Sequence, residues 1–219
     1  MNSSFNISKN FIFYNFKNTR LFSNYMHRHV NDHYVKESKN LNYRSRSAFK
    51  LIEINKKFNL MNKNQNILDI GAAPGGWCQV MKELSKNSVI IGVDLLKIEP
   101  LNGIHFLQGD INSVEILNKI NLLVKDLQFD LIVSDACPEL SGIKNRDIIF
   151  SNNLVIKIID FSYKLLKPGG NLVLKAFDSD ELSKIYQNTL KKFEKISKFK
   201  PLSSRKESSE LYLVCLNKI

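Results

Sequence analysis

The chain has 219 residues, enough for one domain with a complete core, and 43% of them are hydrophobic, as in ordinary globular proteins. No apolar run approaches the roughly 20 residues that cross a bilayer, so we expect no membrane span and no membrane partner. Lysine and arginine number 32 against 21 acidic residues, and this formal charge of +11 favours a polyanionic partner, nucleic acid before an acidic membrane.

The first 30 residues are basic and contain no acid. Lysines and arginines occur from Lys9 to Arg28, the first acid is Asp32, and Ser, Asn and Phe supply much of the rest. This composition is typical of an organelle transit peptide and lacks the apolar core of a secretory signal. We therefore predict a mitochondrial targeting segment over 1–30 and a folded domain over 31–219. A plastid address, or a cytoplasmic protein with a disordered basic arm that touches RNA, is the alternative.

Residues 45–54 have apolar side chains at helical spacing. The pattern predicts a helix with Phe49, Ile52 and the stem of Lys56 packed inward. Its basic face would contact RNA or remain solvated, and the sequence leaves both open. The basic residues concerned are Arg44, Arg46, Lys50, Lys56 and Lys57.

The stretch 67–77 is a short apolar strand that breaks into a glycine-rich turn and opens a helix. Gly71, Gly75 and Gly76 allow backbone angles and close approaches that a Cβ would block, and the helix offers its first amides to a ligand. A dinucleotide fingerprint would need a glycine where Ala73 stands, so a cofactor without a diphosphate fits better. A structural turn without a ligand is the plain alternative.

Acids follow the next two predicted strands. Asp94 ends the strand that begins at Val89, where an acid can grip a ribose diol. Asp110 follows the strand 104–107 and could accept a hydrogen bond from an adenine amino group, although a turn-forming Asp is nearly as common there. S-adenosylmethionine has a ribose and adenine and no phosphates. A nicotinamide-dependent dehydrogenase is the alternative, supported only by the turn and Asp94.

The remaining elements alternate between helix and strand, which predicts a doubly wound α/β sheet. Residues 167–170 predict a helix stop and turn. The other helices are expected over 77–84, 114–124, 147–166 and 179–193, and the other strands over 129–134, 171–174, 196–199 and 211–216.

Four charged residues would converge at one edge of this sheet: Lys50 on the leading helix, Asp135 and Lys175 at strand ends, and Glu210 before the last strand. Two lysines and two acids beside a methyl donor suggest a proton-abstraction site. Lys175 would be the base, Lys50 the cation that lowers its pKa, and Asp135 and Glu210 the orienting carboxylates. Each residue taken alone would be an ordinary rim or cap residue.

The three cysteines are scattered along the chain at positions 78, 137 and 215. Their number is odd and they lack the spacing of metal ligands. We expect reduced thiols and no metal.

Several motifs together resemble the FtsJ (RrmJ-like) family of ribose 2′-O-methyltransferases. They are, in order and with specific spacing, residues 44–51 (RSRSAFKL), 69–77 (DIGAAPGGW), 93–96 (VDLL), 108–110 (QGD), 134–135 (SD), 168–170 (PGG) and 204–210 (SRKESSE).

The resemblance implies a Rossmann-like methyltransferase sheet, mostly parallel with an antiparallel last strand, and S-adenosylmethionine as donor. It implies a Lys-Asp-Lys-Glu tetrad at Lys50, Asp135, Lys175 and Glu210 with the second lysine as proton acceptor. By this resemblance, the residues that contact the cofactor are Gly75, Trp77, Asp94, Asp110 and Asp135. The glycine-rich turn adds Gly71 and Gly76 to the predicted cofactor-binding residues.

Within the family, the run 204–210 is most similar to the mitochondrial large-subunit rRNA branch, which modifies a uridine of the peptidyl-transferase A-loop. We therefore expect a monomer that acts on large-subunit rRNA or a pre-ribosomal particle. A tRNA or mRNA-cap ribose methyltransferase uses the same tetrad and remains an alternative. An RNA-binding ribosome-assembly factor, with methylation incidental, is the alternative from another class.

Overall fold

The computed structural model describes residues 32–124, 128–138 and 141–219, so the predicted targeting segment lies outside the described residues. Within these ranges no helix has the length and hydropathy needed to cross a membrane. The helices are α1 (His33–Asn40), α2 (Ala48–Phe58), α3 (Gly76–Leu84), α4 (Val114–Leu123), α5 (Lys144–Leu165) and α6 (Asp180–Thr189). The strands are β1 (Asn66–Ile70), β2 (Val89–Asp94), β3 (His105–Gln108), β4 (Phe129–Ser134), β5 (Leu166–Phe177), β6 (Phe193–Phe199) and β7 (Glu210–Lys218).

The strands form one sheet in the order β3-β2-β1-β4-β5-β7-β6. The first five strands pair in parallel, while β7 lies antiparallel between β5 and β6. This confirms the predicted doubly wound, mostly parallel sheet with an antiparallel last strand. The strand order reverses between β1 and β4, and open α/β sheets bind ligands in the crevice at such a point.

Both faces of the sheet are buried, as continuous apolar strands require. Leu68 and Ile132 belong to a core cluster shared with α4, α5 and α6, whereas their neighbours Ile67 and Leu131 belong to a second cluster with α2 and α3. Because side chains alternate along a strand, consecutive residues at the end of a strand point to opposite faces of the sheet.

The buried face of α2 differs from the one predicted. Ala48, Leu51 and Ile54 are fully buried, whereas Lys56 is exposed. Phe49 packs outward against Tyr34, with ring centroids 5.3 Å apart. Tyr34 belongs to α1, a helix that the sequence analysis did not predict, and this added layer explains why an outward Phe is tolerated.

Strand β5 is longer than predicted. Leu166 already pairs with Phe129, and Asn171 pairs with Leu131, so the six residues 166–171 of β5 lie opposite only the three residues 129–131 of β4. The surplus residues leave the ladder around Gly169, whose φ of +76° suits a glycine. The predicted turn therefore interrupts the strand and does not precede it.

The loop before β7 is fastened to α2. The Glu53 carboxylate accepts hydrogen bonds from the amides of Leu202 (2.5 Å) and Ser203 (3.0 Å), and Arg46 donates to the Ser203 carbonyl and pairs with Asp32. These contacts fix the segment that leads into Glu210.

We predict that Glu53→Ala lowers the free energy of unfolding by about 1–3 kcal/mol, because two backbone amides lose a charged acceptor. Chemical denaturation measures the change. Glu99→Ala, which removes an exposed glutamate, is the matched control and should change stability little. Equal midpoints for the two variants would contradict the anchoring role.

Candidate active site

A cavity of about 560 Å³ lies where β1, β2 and β4 end, at the reversal of strand order. Its lining includes the predicted cofactor residues Gly71, Asp94, Asp110 and Asp135. A narrow extension adds Gly76, Trp77 and the buried Asp69. Six of the seven predicted cofactor residues therefore face this cleft or its extension.

The seventh, Gly75, faces the other side of the turn. Its φ is +107°, and a Cβ there would lie 2.9 Å from the Arg44 guanidinium. Arg44 in turn donates hydrogen bonds to the carbonyls of Glu99 (2.6 Å) and Pro100 (2.8 Å). Arg44 also donates to the Pro74 carbonyl at 3.2 Å, so Gly75 lets Arg44 fasten the glycine-rich turn to the loop after β2.

Gly71 allows the ends of β1 and β4 to approach closely. Its φ is +78°, and a Cβ would lie 2.7 Å from the Cβ of Ala136. Ser134 strengthens the junction by donating its hydroxyl to the Ile70 carbonyl at 2.8 Å. The cleft is open at this point because residue 71 has no side chain that could fill it.

Asp94 and Asp110 line the cavity and also fix its loops. Asp94 accepts hydrogen bonds from the amides of Ala73 (2.9 Å) and Leu96 (2.8 Å). Asp110 accepts one from the amide of Asn112 at 2.9 Å, the Asx turn that the sequence left as an alternative. Each carboxylate keeps lone pairs for a ligand because an ionised acid has about four acceptor sites.

Asp69, the first residue of the 69–77 motif, is a site residue for which no role was predicted. It is 1% exposed, one oxygen accepts from the Cys78 thiol at 3.2 Å, and the other has no hydrogen-bond partner among the described residues. Burial raises the pKa of Asp69 to about 7, and the nearby Asp135 and Asp94 also raise it. The sequence signal that could have identified Asp69 as a site residue is an acid within the mainly apolar strand β1.

The four predicted catalytic residues come together at one end of the sheet. In the β5–β7 ladder Lys175 is opposite Tyr212, so Lys175, Tyr212 and Glu210 share a face. Asp135 directly follows β4, the neighbour of β5, and Lys50 reaches in from α2.

The four side chains form two linked ion pairs. Lys175 Nζ donates to Asp135 Oδ1 at 3.1 Å and to the Asp135 carbonyl at 2.8 Å, and Lys50 Nζ lies 2.7 Å from Glu210 Oε1. Lys50 Nζ is also 4.0 Å from Asp135 Oδ1, which joins the pairs. All four side chains expose less than a fifth of their surface. Because a buried charge without a partner is costly, each member of the cluster stabilises the charged form of its partner.

Two further side chains complete the cluster, and the sequence analysis missed both. Tyr212 is fully buried and donates its hydroxyl to Asp135 Oδ1 at 2.6 Å, while Ser204 donates to Glu210 Oε1 at 2.8 Å. Burial raises the pKa of Tyr212 well above its usual value, and the nearby acids reinforce this, so the phenol keeps its proton. The Tyr212 ring lies 5.7 Å from that of Trp77, whose Nε1 donates to the Ser47 carbonyl.

The prediction that Lys175 has a lowered pKa is wrong for this structure. Burial of the amine lowers its pKa, but the negative charges of Asp135 and Glu210 outweigh burial and raise the pKa above its ordinary value. Lys50 was expected to depress it, yet the Lys50 ammonium is itself paired with Glu210. Lys175 is therefore an ammonium at neutral pH, held in place by Asp135.

A second cavity of about 360 Å³ lies on the outer side of the cluster. Lys50 and Glu210 line it, together with Arg46, Ser47, Arg205, Glu207 and Ser208. Asp135 lines the inner cleft. The charged cluster thus separates two cavities, one suited to a cofactor and one polar enough for a sugar and its phosphates.

The basic residues expected to form an RNA-binding face of α2 are largely engaged within the protein. Arg44 binds backbone carbonyls, Arg46 binds Asp32 and Ser203, and Lys50 belongs to the charged cluster. Lys56 and Lys57 remain exposed, and Lys57 lies over the Phe199 ring at 4.7 Å. The α2 face is therefore mainly structural.

Residues 43–218 match the model of a protein family, the FtsJ-like methyltransferases. The chain belongs to this family. The match includes all four members of the charged cluster and the whole cofactor cleft, which confirms the predicted family.

Curated and solved relatives agree with this assignment. The chain is 41% identical over 194 residues to ribosomal RNA large subunit methyltransferase E of Francisella tularensis subsp. novicida, covering 87% of this chain and 93% of the relative. Its counterpart in Francisella philomiragia is 42% identical over 190 residues, covering 85% and 91%. A Plasmodium falciparum chain whose crystal structure is assigned as a ribosomal RNA methyltransferase has a TM-score of 0.74 and 34% identity, covering 80% of this chain and 98% of that one.

S-adenosylmethionine is the methyl donor of FtsJ-like methyltransferases, and the residues of the cleft fit it. Gly71 leaves space where a Cβ would clash, acids stand at the ends of β2 and after β3, and Asp69 presents a buried oxygen without a partner in the described chain. A cationic, phosphate-free nucleoside suits this acidic lining better than a dinucleotide does.

We predict that Asp69→Asn stabilises the cofactor-free protein at pH 8 and has little effect near pH 4.5. A carboxyl whose folded pKa is about 7, above its unfolded value near 3.8, binds more protons when folded, so stability falls as pH rises between these values. The cost that asparagine removes is on the order of 4 kcal/mol above pH 7. Denaturation at several pH values tests this, and parallel stability profiles for wild type and variant would contradict it.

Proposed function

We propose that the protein transfers a methyl group from S-adenosylmethionine to the 2′-oxygen of a ribose in large-subunit ribosomal RNA, at a uridine of the A-loop. The supporting observation is the charged cluster of Lys50, Asp135, Lys175 and Glu210 between a nucleoside-sized cleft and a polar outer cavity. The curated relatives named as large-subunit rRNA methyltransferases supply the RNA class.

When bound, S-adenosylmethionine supplies an electrophilic methyl group. Gly71, Asp94 and Asp110 would hold its nucleoside in the larger cavity, and Asp69 with Asp135 would face its positive charge. Asp94 and Asp110 are already fixed by backbone amides and Asp69 by Cys78, so these three acids need little reorganisation on binding.

The proton of the attacking hydroxyl goes to the Lys175 amine. Asp135 directs that amine through two hydrogen bonds, and Tyr212 holds the Asp135 carboxylate in turn. Because Lys175 is protonated at rest, it must lose a proton before it can accept the one from the ribose. Lys50 and Glu210 line the outer cavity and would orient the ribose there.

The organellar part of the prediction depends on residues 1–30, which lie outside the described residues. It stays a prediction, as do the domain boundary near residue 31 and the monomeric state. The three relatives named above come from Francisella and Plasmodium and do not test it.

We predict that Lys175→Met lowers the single-turnover rate of methyl transfer to an rRNA A-loop fragment by at least about 100-fold, the usual contribution of a general base. Affinity for S-adenosylmethionine should change little. Lys184→Met, which alters an exposed lysine on α6, is the control and should match the wild type. A rate within a few-fold of wild type for Lys175→Met would exclude Lys175 as the proton acceptor.

We also predict that the wild-type single-turnover rate rises about tenfold per pH unit from mildly acidic to mildly alkaline pH. The raised pKa of Lys175 keeps the neutral amine a small fraction throughout this range, and that fraction grows tenfold per unit. A stopped assay over a pH series measures the slope. A plateau beginning near neutrality would point to a base of much lower pKa.

A further inference from the structure

Ile143 and the first two turns of α5, which follows it, form an exposed wall near the cofactor cleft. Ile143, Ile149 and Phe150 are 60%, 59% and 46% exposed, and the Arg146 guanidinium lies over the Phe150 ring, 5.3 Å from its centroid. Exposed apolar side chains that lie near one another, in contrast to ones scattered singly, can mark an interaction site. We call these four residues the α5 wall.

The wall continues directly into the cofactor cleft. Leu154, one turn after Phe150 on the same helical face, lines the larger cavity with Asp135 and Cys137. Asn152 on the same turn donates to the Ser179 hydroxyl, just beyond the end of β5. From Leu154, the N-terminal end of α5 points away from the cleft. Phe150 and Arg146 therefore stand about 6 and 12 Å beyond Leu154 along the helix axis.

Residues 141 and 142, directly before the wall, are hydrogen-bonded to the first turn of α5. The Asp147 carboxylate accepts from the amide and hydroxyl of Ser141, both at 2.7 Å, and from the amide of Gly142 at 3.0 Å. These bonds lower the pKa of Asp147, so its carboxylate remains ionised. Asp147 therefore ties the residues just before the helix to its first turn.

We infer that the α5 wall binds the single-stranded RNA next to the target nucleotide, with a nucleobase stacked on Phe150 and a phosphate on Arg146. This inference rests on the proposed function and adds the surface that holds the substrate. RNA is favoured because the arginines ahead of α2 are engaged internally, whereas Arg146 accompanies an exposed ring beside the reaction site. Bases stack on aromatic rings and arginine planes, and a phosphate matches the charge of the guanidinium.

The test compares Phe150→Leu with Phe150→Tyr in fluorescence titrations of a short single-stranded RNA that contains one 2-aminopurine. Leucine keeps the apolar surface but cannot stack, so Phe150→Leu should bind about tenfold more weakly, while Phe150→Tyr should match the wild type. Ile156→Ala, at another exposed apolar position on α5, is the control and should bind normally.

Arg146→Ala gives an independent readout. It should weaken binding and reduce the slope of log affinity against log salt by about one, as expected for one lost phosphate contact. Affinity for S-adenosylmethionine should stay unchanged in all these variants, because Leu154 and not Phe150 lines the cofactor cleft.

Unchanged RNA affinity in Phe150→Leu, or equal losses in the leucine and tyrosine variants, would overturn the inference, and so would self-association through this face with no effect on RNA. Binding is scored without methyl transfer. A wild-type protein that binds the probe through Phe150 yet fails to methylate large-subunit rRNA, both free and within a pre-ribosomal particle, would therefore overturn the proposed target alone.

Discussion

The site depends on the contacts that the Asp135 carboxylate makes with its neighbours. One of its oxygens accepts from the Lys175 ammonium and the Tyr212 hydroxyl and lies 4.0 Å from Lys50. Asp135 directly follows β4, and the pairing of β4 between β1 and β5 fixes its position. Its partners lie on β5, β7 and α2. Two ammonium groups and two carboxylates can be buried together because their charges cancel, whereas any one of them alone would be expelled or neutralised.

Helix α2 does more than cover the sheet. Its Lys50 completes the charged cluster, and one turn later its Glu53 fixes the amides of the loop that leads into Glu210. The same helix therefore supplies a partner for Glu210 and restrains the backbone that brings Glu210 to it. The first and last parts of the folded domain meet at the reaction site, so the site cannot be complete until the whole domain has folded.

Much of this arrangement could be predicted from local pattern. The apolar strands and the rule that strand ends share one edge suggested that Lys50, Asp135, Lys175 and Glu210 converge, and the resemblance to the FtsJ family strengthened this prediction. The electrostatic state of Lys175 could not be predicted, because it depends on which charges pair across the cluster, and spacing does not report that Lys50 pairs with Glu210.

Other features depended on contacts that no local pattern encodes. The buried face of α2 was misassigned because α1 covers Phe49, and the roles of Tyr212 and Ser204 follow from the β5–β7 register and the anchored loop. Asp69 was visible as an acid in an apolar strand, but its lack of a partner for one oxygen emerges only from the packed structure.

The most direct test of the central claim is ribose-methylation mapping of ribosomal and transfer RNA from cells that express either the wild type or Lys175→Ala as the sole copy. The account predicts that one 2′-O-methyl mark, on a uridine in the A-loop of large-subunit rRNA, is lost in the variant while the other marks persist. Loss of a transfer RNA mark instead would contradict the proposed substrate, and retention of every mark would contradict the role of the charged cluster in methyl transfer.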